Sequence, residues 1–461
     1  MKLVLLSGGS GKRLWPLSND TRSKQFLKVL ENEEGLRQSM VQRVWSQLEA
    51  VSLAESAVIA TSKTQTEIMY SQLGTDIPLI IEPERRDTFP AIALAGSFLF
   101  SEQDASLDET VIVLPVDPYV EDRFFDRVRD LERVLVESGA DLALMGVKPT
   151  YPSSKYGYIV PNLQESNDEY VSVARFTEKP SEEQAVGLIE QHALWNCGVF
   201  AFKLGYLIKI LEEQNAPITY EALSKQYQVL PKISFDYEVV EKARRIVALP
   251  YEGYWKDLGT WNTLTEEMAT EQIGKGIVCE KSENTHLVNE LEIPVTVIGL
   301  SNVVVAASPD GILVADKAAS PKVKDLIGGF EQPPMYQERI WGWSKVLDYA
   351  KYQNEEMVTR RICIQKGKNS TYHYHNVRNE VWTIVRGEGE LILDDNIRRV
   401  KAGDIIHIPA GRRHAIRGIT ELEFIEVQTG REVIETDFVR LYWNWEEILQ
   451  HYYNSQAQVI L

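Results

Sequence analysis

Cysteine is scarce in this chain: Cys197, Cys279 and Cys363 are the only thiols in 461 residues. Three scattered thiols cannot form the even-numbered framework of a small disulfide-stapled domain, and they fit a reducing compartment. Positive charge is also short. The chain has 49 Lys and Arg against 67 Asp and Glu, a net charge of −18, which disfavours general nucleic-acid binding. No apolar run has the length of a bilayer span, and the opening MKLVLLSGG has no hydrophobic stretch of signal-peptide length. The expectation is a cytoplasmic protein with no nucleic-acid partner and no membrane partner. Hydrophobic residues make up 44% of the chain, an ordinary value for soluble globular proteins, and the length suits about three domains.

Up to about residue 265 the chain alternates short apolar runs with longer helical patterns. Strands are expected at Leu3–Leu6, Ala57–Ala60, Leu79–Ile81, Val111–Leu114 and Leu142–Val147, with helical spacing over Ala91–Phe100 and Phe124–Val136. This rhythm predicts a parallel sheet covered on both faces, with ligands at the carboxyl ends of its strands. From about 270 to 330, HLVNELEIPVTVIGLSNVVVAASPDGILVADK typifies a β-rich texture broken by Asn, Gly and Asp. A third, again β-rich, texture begins near 335.

The first strand runs straight into Ser7-Gly8-Gly9-Ser10-Gly11-Lys12-Arg13. A glycine-rich turn after a buried strand exposes backbone N–H groups to phosphate, and the two basic residues strengthen that reading. It is neither of the two familiar phosphate loops. A Walker loop needs Gly at position 6 and Ser or Thr at 13, where Leu6 and Arg13 stand; the dinucleotide fingerprint needs Gly at 14, where Leu14 stands. Lys12, Arg13, Arg22 and Lys24 concentrate positive charge near this loop in an otherwise acidic chain.

Further polar residues fall near strand ends: Asp117 in VIVLPVDPYV, Glu178 and Lys179 in FTEKP, Asn196 and Gly198 in WNCGVFAF, and Asp257 in YWKDLGTWNTL. Each alone reads as a turn, a cap or solvated surface. Together they have a chemical logic. Oxygen ligands from two distant loops suit a Mg²⁺ carried by nucleotide phosphates, and separate cations can clamp several phosphates. Transfer of a nucleotidyl group to a phosphate that is already ionised needs positioning and charge neutralisation, with no general base.

SGGSGKRLWPLSNDTRSKQFL resembles the signature of the sugar-phosphate nucleotidyltransferases, and RLWPLS with KQFL is most similar to the mannose-1-phosphate guanylyltransferases. The resemblance continues in order through EPERRDTFPAIALA, LPVDPYV, KYGYI, FTEKP, WNCGVFAF, FDYEVVEK and WKDLGTWNTL, and so covers residues 1–265. It implies a Rossmann-like nucleotidyltransferase domain that uses GTP, mannose 1-phosphate and Mg²⁺. Ser7, Gly8, Gly9, Gly11 and Lys12 would bind the nucleotide, and Arg13 would hold the triphosphate and the leaving pyrophosphate. Lys24 would contact the reacting phosphates, and Asp117 and Asp257 would bind Mg²⁺. Lys179 would hold the sugar phosphate, with Gly157, Glu178 and Asn196 against the sugar. Two departures stand out. Arg86-Asp87-Thr88-Phe89-Pro90 replaces the family's Arg-Asn-Thr-Ala-Pro near the expected base or sugar pocket, and Pro115-Val116-Asp117-Pro118 replaces Pro-Ala-Asp-His. The β-rich stretch that follows resembles the short left-handed β-helix of these enzymes and suits structural packing or an oligomer contact, which leaves a homo-oligomer open.

Four of the seven histidines lie between 373 and 414. GKNSTYHYHNVRNEVWTIVRG and GDIIHIPAGRRH resemble both halves of the cupin motif without a break in spacing. His373 and His375, two apart in a strand, face the same side. Glu380 and His414 on neighbouring strands can complete a site for Zn²⁺, Fe²⁺ or Mn²⁺; His407 is not expected to be a ligand. The domain order, with ERIWGW, RRICIQKGKNS and IEVQTG, resembles the type II phosphomannose isomerase/GDP-mannose pyrophosphorylases. That family reads His-x-His-Arg-x-Glu-His-Trp. Here two further residues separate His375 from Glu380, Val381 follows the Glu, and Ala415 stands where the family has Arg.

The expected organisation is a nucleotidyltransferase domain over 1–268, a β-helix segment over 269–330 and an all-β cupin barrel over 331–461. The expected activity is GDP-mannose synthesis, with mannose-6-phosphate isomerisation as a second activity of the cupin. The alternatives are another base or sugar 1-phosphate, or a non-catalytic protein that binds sugar nucleotides.

Overall fold

The computed structural model describes residues 1–459 apart from 10, 163, 165–168, 330, 331, 395 and 434–436. The chain forms two compact units. The first comprises Met1–Gly11, Ser23–Thr66 and Leu73–Ala269; the second comprises Lys12–Arg22, Glu67–Gln72 and Thr270–Leu461.

The first unit is built on a nine-stranded sheet. Its order is Leu79–Glu82, Ala57–Ser62, Lys2–Ser7, Thr110–Pro115, Leu194–Lys203, Leu142–Val147, Ile246–Tyr251, Val171–Thr177 and Tyr158–Asn162. The first four strands are parallel. Leu194–Lys203 then runs antiparallel to both neighbours, Thr110–Pro115 and Leu142–Val147. The sheet is therefore mixed, not wholly parallel as the alternating pattern suggests. A strand buried on both faces is a continuous apolar run, and such a run carries no signal of direction. The helix Thr88–Ser101 is buried along most of its length, and Phe89, Ile92 and Leu99 join the central core. Helix Arg123–Ser138 buries Phe124, Phe125, Val128, Leu131, Val134 and Leu135, a stripe of 3.6-residue period.

Topology gathers the polar residues. Ser7 ends the strand Lys2–Ser7, and Asp117 follows Thr110–Pro115. A two-stranded antiparallel ribbon, Pro118–Val120 with Trp255–Asp257, then sets Asp257 opposite Pro118 and so beside Asp117.

In the second unit, Gln272–Ile273, His286–Asn289 and Val303–Ser308 pair in parallel, and Gly311–Asp316 closes that sheet antiparallel. Gly276–Val278 pairs in parallel with Val295–Val297. This parallel-strand segment holds the early stretch Lys12–Arg22. Ser308 Oγ donates to the Pro16 carbonyl at 2.6 Å, Asn19 Nδ2 donates to Asp310 at 3.1 Å, and Arg22 Nη1 donates to Glu290 at 2.9 Å. Gly311 has a φ of +151°, and a Cβ there would fall 2.3 Å from the Trp15 ring.

The remainder is a cupin of two facing sheets, six and five strands. Ile362, Trp382, Ile384, Leu391, Ile406 and Phe424 fill the space between them. Among the described residues no helix is long and apolar enough to cross a membrane.

Candidate active site

Two sites emerge, one in each unit. The first begins where Lys2–Ser7 ends. The Ser7 hydroxyl accepts from Gln25 Nε2 at 3.1 Å, which ties the loop to the segment carrying Lys24. Gly11 has a φ of +60°, and a Cβ there would lie 2.5 Å from the Lys24 backbone nitrogen. Only glycine closes the loop this tightly onto the chain that returns at Ser23. Gly9 is exposed, and a Cβ on Gly8 would lie 3.4 Å from Glu82 Oε1. Lys12 and Arg13 fold with the second unit instead. Lys12 lies 3.7 Å from Asp20, and Arg13 is exposed.

Lys24 is the centre of the first site. Its ammonium lies 2.8 Å from Asp117 Oδ2 and 3.0 Å from Asp257 Oδ1. Burial would lower its pKa; the two carboxylates outweigh burial and hold it above the ordinary lysine range. The three residues border a cavity of about 260 Å³, whose wall also includes Gly157, Glu178 and Asn196. A Cβ on Gly157 would lie 2.5 Å from Glu178 Oε2, so glycine lets that carboxylate lie flat against the backbone. Asn196 is held from both ends: its Nδ2 donates to Asp236 Oδ1 at 2.8 Å, and its Oδ1 accepts from the Gly198 N–H at 3.0 Å.

Lys179 is placed differently. It has a φ of +44°, and its ammonium pairs with Glu178 rather than lining the cavity. Burial would lower its pKa, and the Glu178 carboxylate reverses that and raises it.

Several wall residues lie inside the recognised motifs but take no role from them: Lys155, Tyr156, Asp236 and Trp255. Asp236 lies within FDYEVVEK, two residues after the helix-capping Ser234, where an Asp reads as a helix-start residue. Burial, then the nearby Glu178 charge, pushes its carboxyl up to about 7. Glu82 also carries no sequence signal beyond ending a strand. It is 4% exposed, accepts from the Tyr227 hydroxyl at 2.9 Å, and is pushed up by burial to about 7. The departures at 87 and 89 have structural roles. Asp87 caps the following helix by accepting from Thr88 N at 2.8 Å, and Phe89 is fully buried in the core, off the cavity wall.

The second site lies in the cupin. The ring nitrogens of His373, His375 and His414 fall within 4.8 Å of one another. Their Nδ1 atoms are all occupied at backbone carbonyls. His373 donates to Thr371 O at 2.7 Å, His414 to Arg412 O at 2.9 Å, and His375 to Asp437 O. That places the proton of each ring on Nδ1 and leaves the Nε2 lone pair as an acceptor, which on His375 is met by the Arg378 guanidinium. Glu380 Oε1 lies 3.1 Å from His375 Nε2, and Glu380 Oε2 lies 3.5 Å from His414 Nε2. The latter nitrogen is buried without a hydrogen bond. Burial, then the charges of His414 and His375, hold the His373 pKa well below the ordinary value, so the imidazole is neutral at pH 7. Glu380 accepts from Trp382 Nε1 at 3.1 Å, Gln428 Nε2 at 3.1 Å and Arg378 Nε at 3.3 Å, donors that favour its ionised form. Three oriented imidazoles and one ionised carboxylate fit a divalent transition metal.

One expectation changes here. His414 neighbours His373 in the five-stranded sheet, whereas Glu380 comes from the six-stranded sheet opposite. Spacing within a motif does not reveal which sheet of a barrel a strand joins. His407 is exposed, away from the cluster. Arg378, from the extra residues before Glu380, donates to His375 Nε2 at 3.1 Å and to Glu380 Oε1 at 3.3 Å.

The fold and the first site define a nucleotidyltransferase carrying a cupin. The nucleotidyl transferase family model matches residues 2–273, and the cupin domain model matches residues 360–428. The chain belongs to the mannose-1-phosphate guanylyltransferase family. It is 29% identical to the putative mannose-1-phosphate guanylyltransferase of Vibrio cholerae, over 95% of this chain and 98% of that protein. It is 30% identical to the alginate biosynthesis protein AlgA of Pseudomonas putida, over 95% and 94%. A solved protein of Thermus thermophilus, described as a mannose-1-phosphate geranyltransferase, superposes with a TM-score of 0.58 at 27% identity, over 71% of this chain and 98% of that one.

Proposed function

We propose that the enzyme transfers a guanylyl group from GTP to mannose 1-phosphate, giving GDP-mannose and pyrophosphate. The observation that carries this is the placement of Lys24 between Asp117 and Asp257 on the wall of a sugar-sized cavity. A phosphate oxygen of mannose 1-phosphate attacks the α-phosphorus of GTP; that P–O bond forms as the bond to the β-phosphate oxygen breaks, and pyrophosphate leaves. The attacking phosphate is ionised at neutral pH, so the chain supplies position and charge rather than a base. Asp117 and Asp257 hold Mg²⁺, which when bound neutralises charge on the reacting phosphates. Lys24 adds a fixed positive charge beside them. Ser7, Gly8, Gly9, Gly11 and Lys12 hold the nucleotide, Arg13 takes the departing pyrophosphate, and Lys179 moves from Glu178 to the sugar phosphate. Gly157, Glu178 and Asn196 contact the hexose. The relatives' description as guanylyltransferases supports the choice of base.

The same reading assigns the transferase to residues 1–268, a structural segment to 269–330 and the cupin to 331–461. The cupin holds one Zn²⁺, Fe²⁺ or Mn²⁺ through His373, His375, Glu380 and His414 and interconverts mannose 6-phosphate and fructose 6-phosphate. What supports the metal is the common orientation of three Nε2 atoms, each set by a carbonyl behind it. The three unpaired cysteines suit a cytoplasmic enzyme. Pyrophosphate release measured across nucleoside triphosphates and sugar 1-phosphates tests the assignment. Highest kcat/KM with GTP and mannose 1-phosphate is expected; a clear preference for another pair would replace it.

A further inference from the structure

The cavity of the first unit must accept a sugar phosphate, which is close to a dianion at neutral pH, yet acid dominates its wall. Asp117, Glu178, Asp236 and Asp257 border it, against the cations Lys24 and Lys155. Lys24 is committed to Asp117 and Asp257 at 2.8 and 3.0 Å. Lys179 is held by Glu178 and does not line the wall. Lys155 does line it. The Lys155 backbone N–H donates to Ser153 Oγ at 3.1 Å, which fixes the root of the side chain next to Tyr156 and Gly157. Its side chain is exposed and makes no ion pair among the described residues.

We propose that Lys155 is a further substrate-binding residue for this reaction, a second cation that receives the phosphate of the sugar 1-phosphate from solvent before Lys179 leaves Glu178. The inference rests on the sugar-nucleotide reading of the site. A phosphate entering this cavity meets like charge from the carboxylates, and each cation it recruits must leave an existing partner unless it has none. Lys24 is paired with Asp117 and Asp257 and, once a cation takes those carboxylates, is assigned to the reacting phosphates of the nucleotide. Lys179 must first break from Glu178. Lys155 exchanges only water, and a lysine on a long, flexible stem is a point charge well suited to a phosphate that enters from solvent. The KYGYI stretch thus supplies Tyr156 and Gly157 to the wall and, at its head, a cation with no carboxylate to leave.

The test is the steady-state kinetics of Lys155→Ala and Lys155→Arg, with mannose 1-phosphate varied at saturating GTP and the reverse. Loss of one charge-assisted phosphate contact should raise the KM for mannose 1-phosphate in Lys155→Ala roughly 10- to 100-fold. The kcat and the KM for GTP should stay within about threefold, and Lys155→Arg should recover most of the loss. The melting temperature should not move, because the side chain is exposed. An unchanged KM for mannose 1-phosphate in Lys155→Ala overturns the inference and leaves the assigned reaction standing. So does a loss confined to kcat. A wild-type enzyme that releases pyrophosphate with no pairing of nucleotide and sugar 1-phosphate overturns the reading beneath it instead.

Discussion

A lysine clasped by two carboxylates offsets one of their two charges until a stronger cation arrives. At the residue scale, Lys24, Asp117 and Asp257 form a set in which each charge depends on the others. Asp117→Ala or Asp257→Ala should each lower pyrophosphate release at least ~100-fold, since each removes an oxygen ligand where charge develops. Near-normal turnover of both variants at saturating Mg²⁺ would overturn the two-carboxylate assignment. Glu82 makes a different prediction. Its carboxyl sits at about 7 in the folded chain against 4.5 ordinarily. A raised carboxyl binds its proton more tightly folded than unfolded, so its contribution to stability falls as pH rises through that window. Glu82→Gln keeps an acceptor for Tyr227 and removes the titration. Relative to the wild type, the variant should gain stability of order 1–3 kcal/mol between pH 4.5 and 7, measured by chemical denaturation at both ends. Parallel pH profiles of the two proteins would remove Glu82 as the cause.

At the scale of elements, the short apolar strands were legible because burial on both faces leaves an apolar run bounded by turns. Leu142–Val147 matches its expected bounds, and Lys2–Ser7 extends the expected strand by one residue at each end. Strand direction was not legible, which is why Leu194–Lys203 runs against its neighbours unannounced. Nor was the ribbon that brings Asp257 to Asp117, because pairing between segments so far apart in the chain leaves no local period. The largest surprise is the stretch Lys12–Arg22. It reads as the tail of a phosphate loop, and its contacts are those of an anchored strap. Arg22 is buried, paired with Glu290, and lies 4.9 Å from the centre of the Tyr336 ring. Arg13, in the same strap, is exposed. The two arginines should therefore separate. Arg22→Ala should lower the melting temperature as well as turnover, because it strands Glu290. Arg13→Ala should lower turnover with the melting temperature unchanged. Thermal melts beside pyrophosphate-release assays decide this; an Arg13→Ala protein that melts early yet keeps full activity per folded molecule would give Arg13 a structural role.

At the scale of the whole molecule, one chain carries two sites whose chemistries do not meet directly. Aldose–ketose isomerisation would leave the phosphate on carbon 6, whereas guanylyl transfer needs it on carbon 1, so a phosphomutase-type reaction must act between them. Nothing in either reaction requires the other site to be filled, and the two should fail independently. The cupin motif made the cluster of His373, His375, Glu380 and His414 legible in the sequence; the carbonyls that orient the three rings were not, since Thr371, Arg412 and Asp437 contribute backbone oxygens that any residue could supply. His373→Ala removes one of the three oriented Nε2 donors from a buried set, so bound metal per chain, read by elemental analysis after loading, should fall from near one to near zero. Isomerase activity, in a coupled assay on protein loaded with Zn²⁺, Fe²⁺, Mn²⁺ or Co²⁺, should disappear with the metal. Pyrophosphate release by the same variant should stay at the wild-type level, because Lys24, Asp117 and Asp257 lie in a different compact unit from His373. Metal retained in His373→Ala would overturn the ligand set. Metal bound by the wild type without isomerisation under any of the four ions would leave the cupin a metal-binding module and the enzyme a transferase alone.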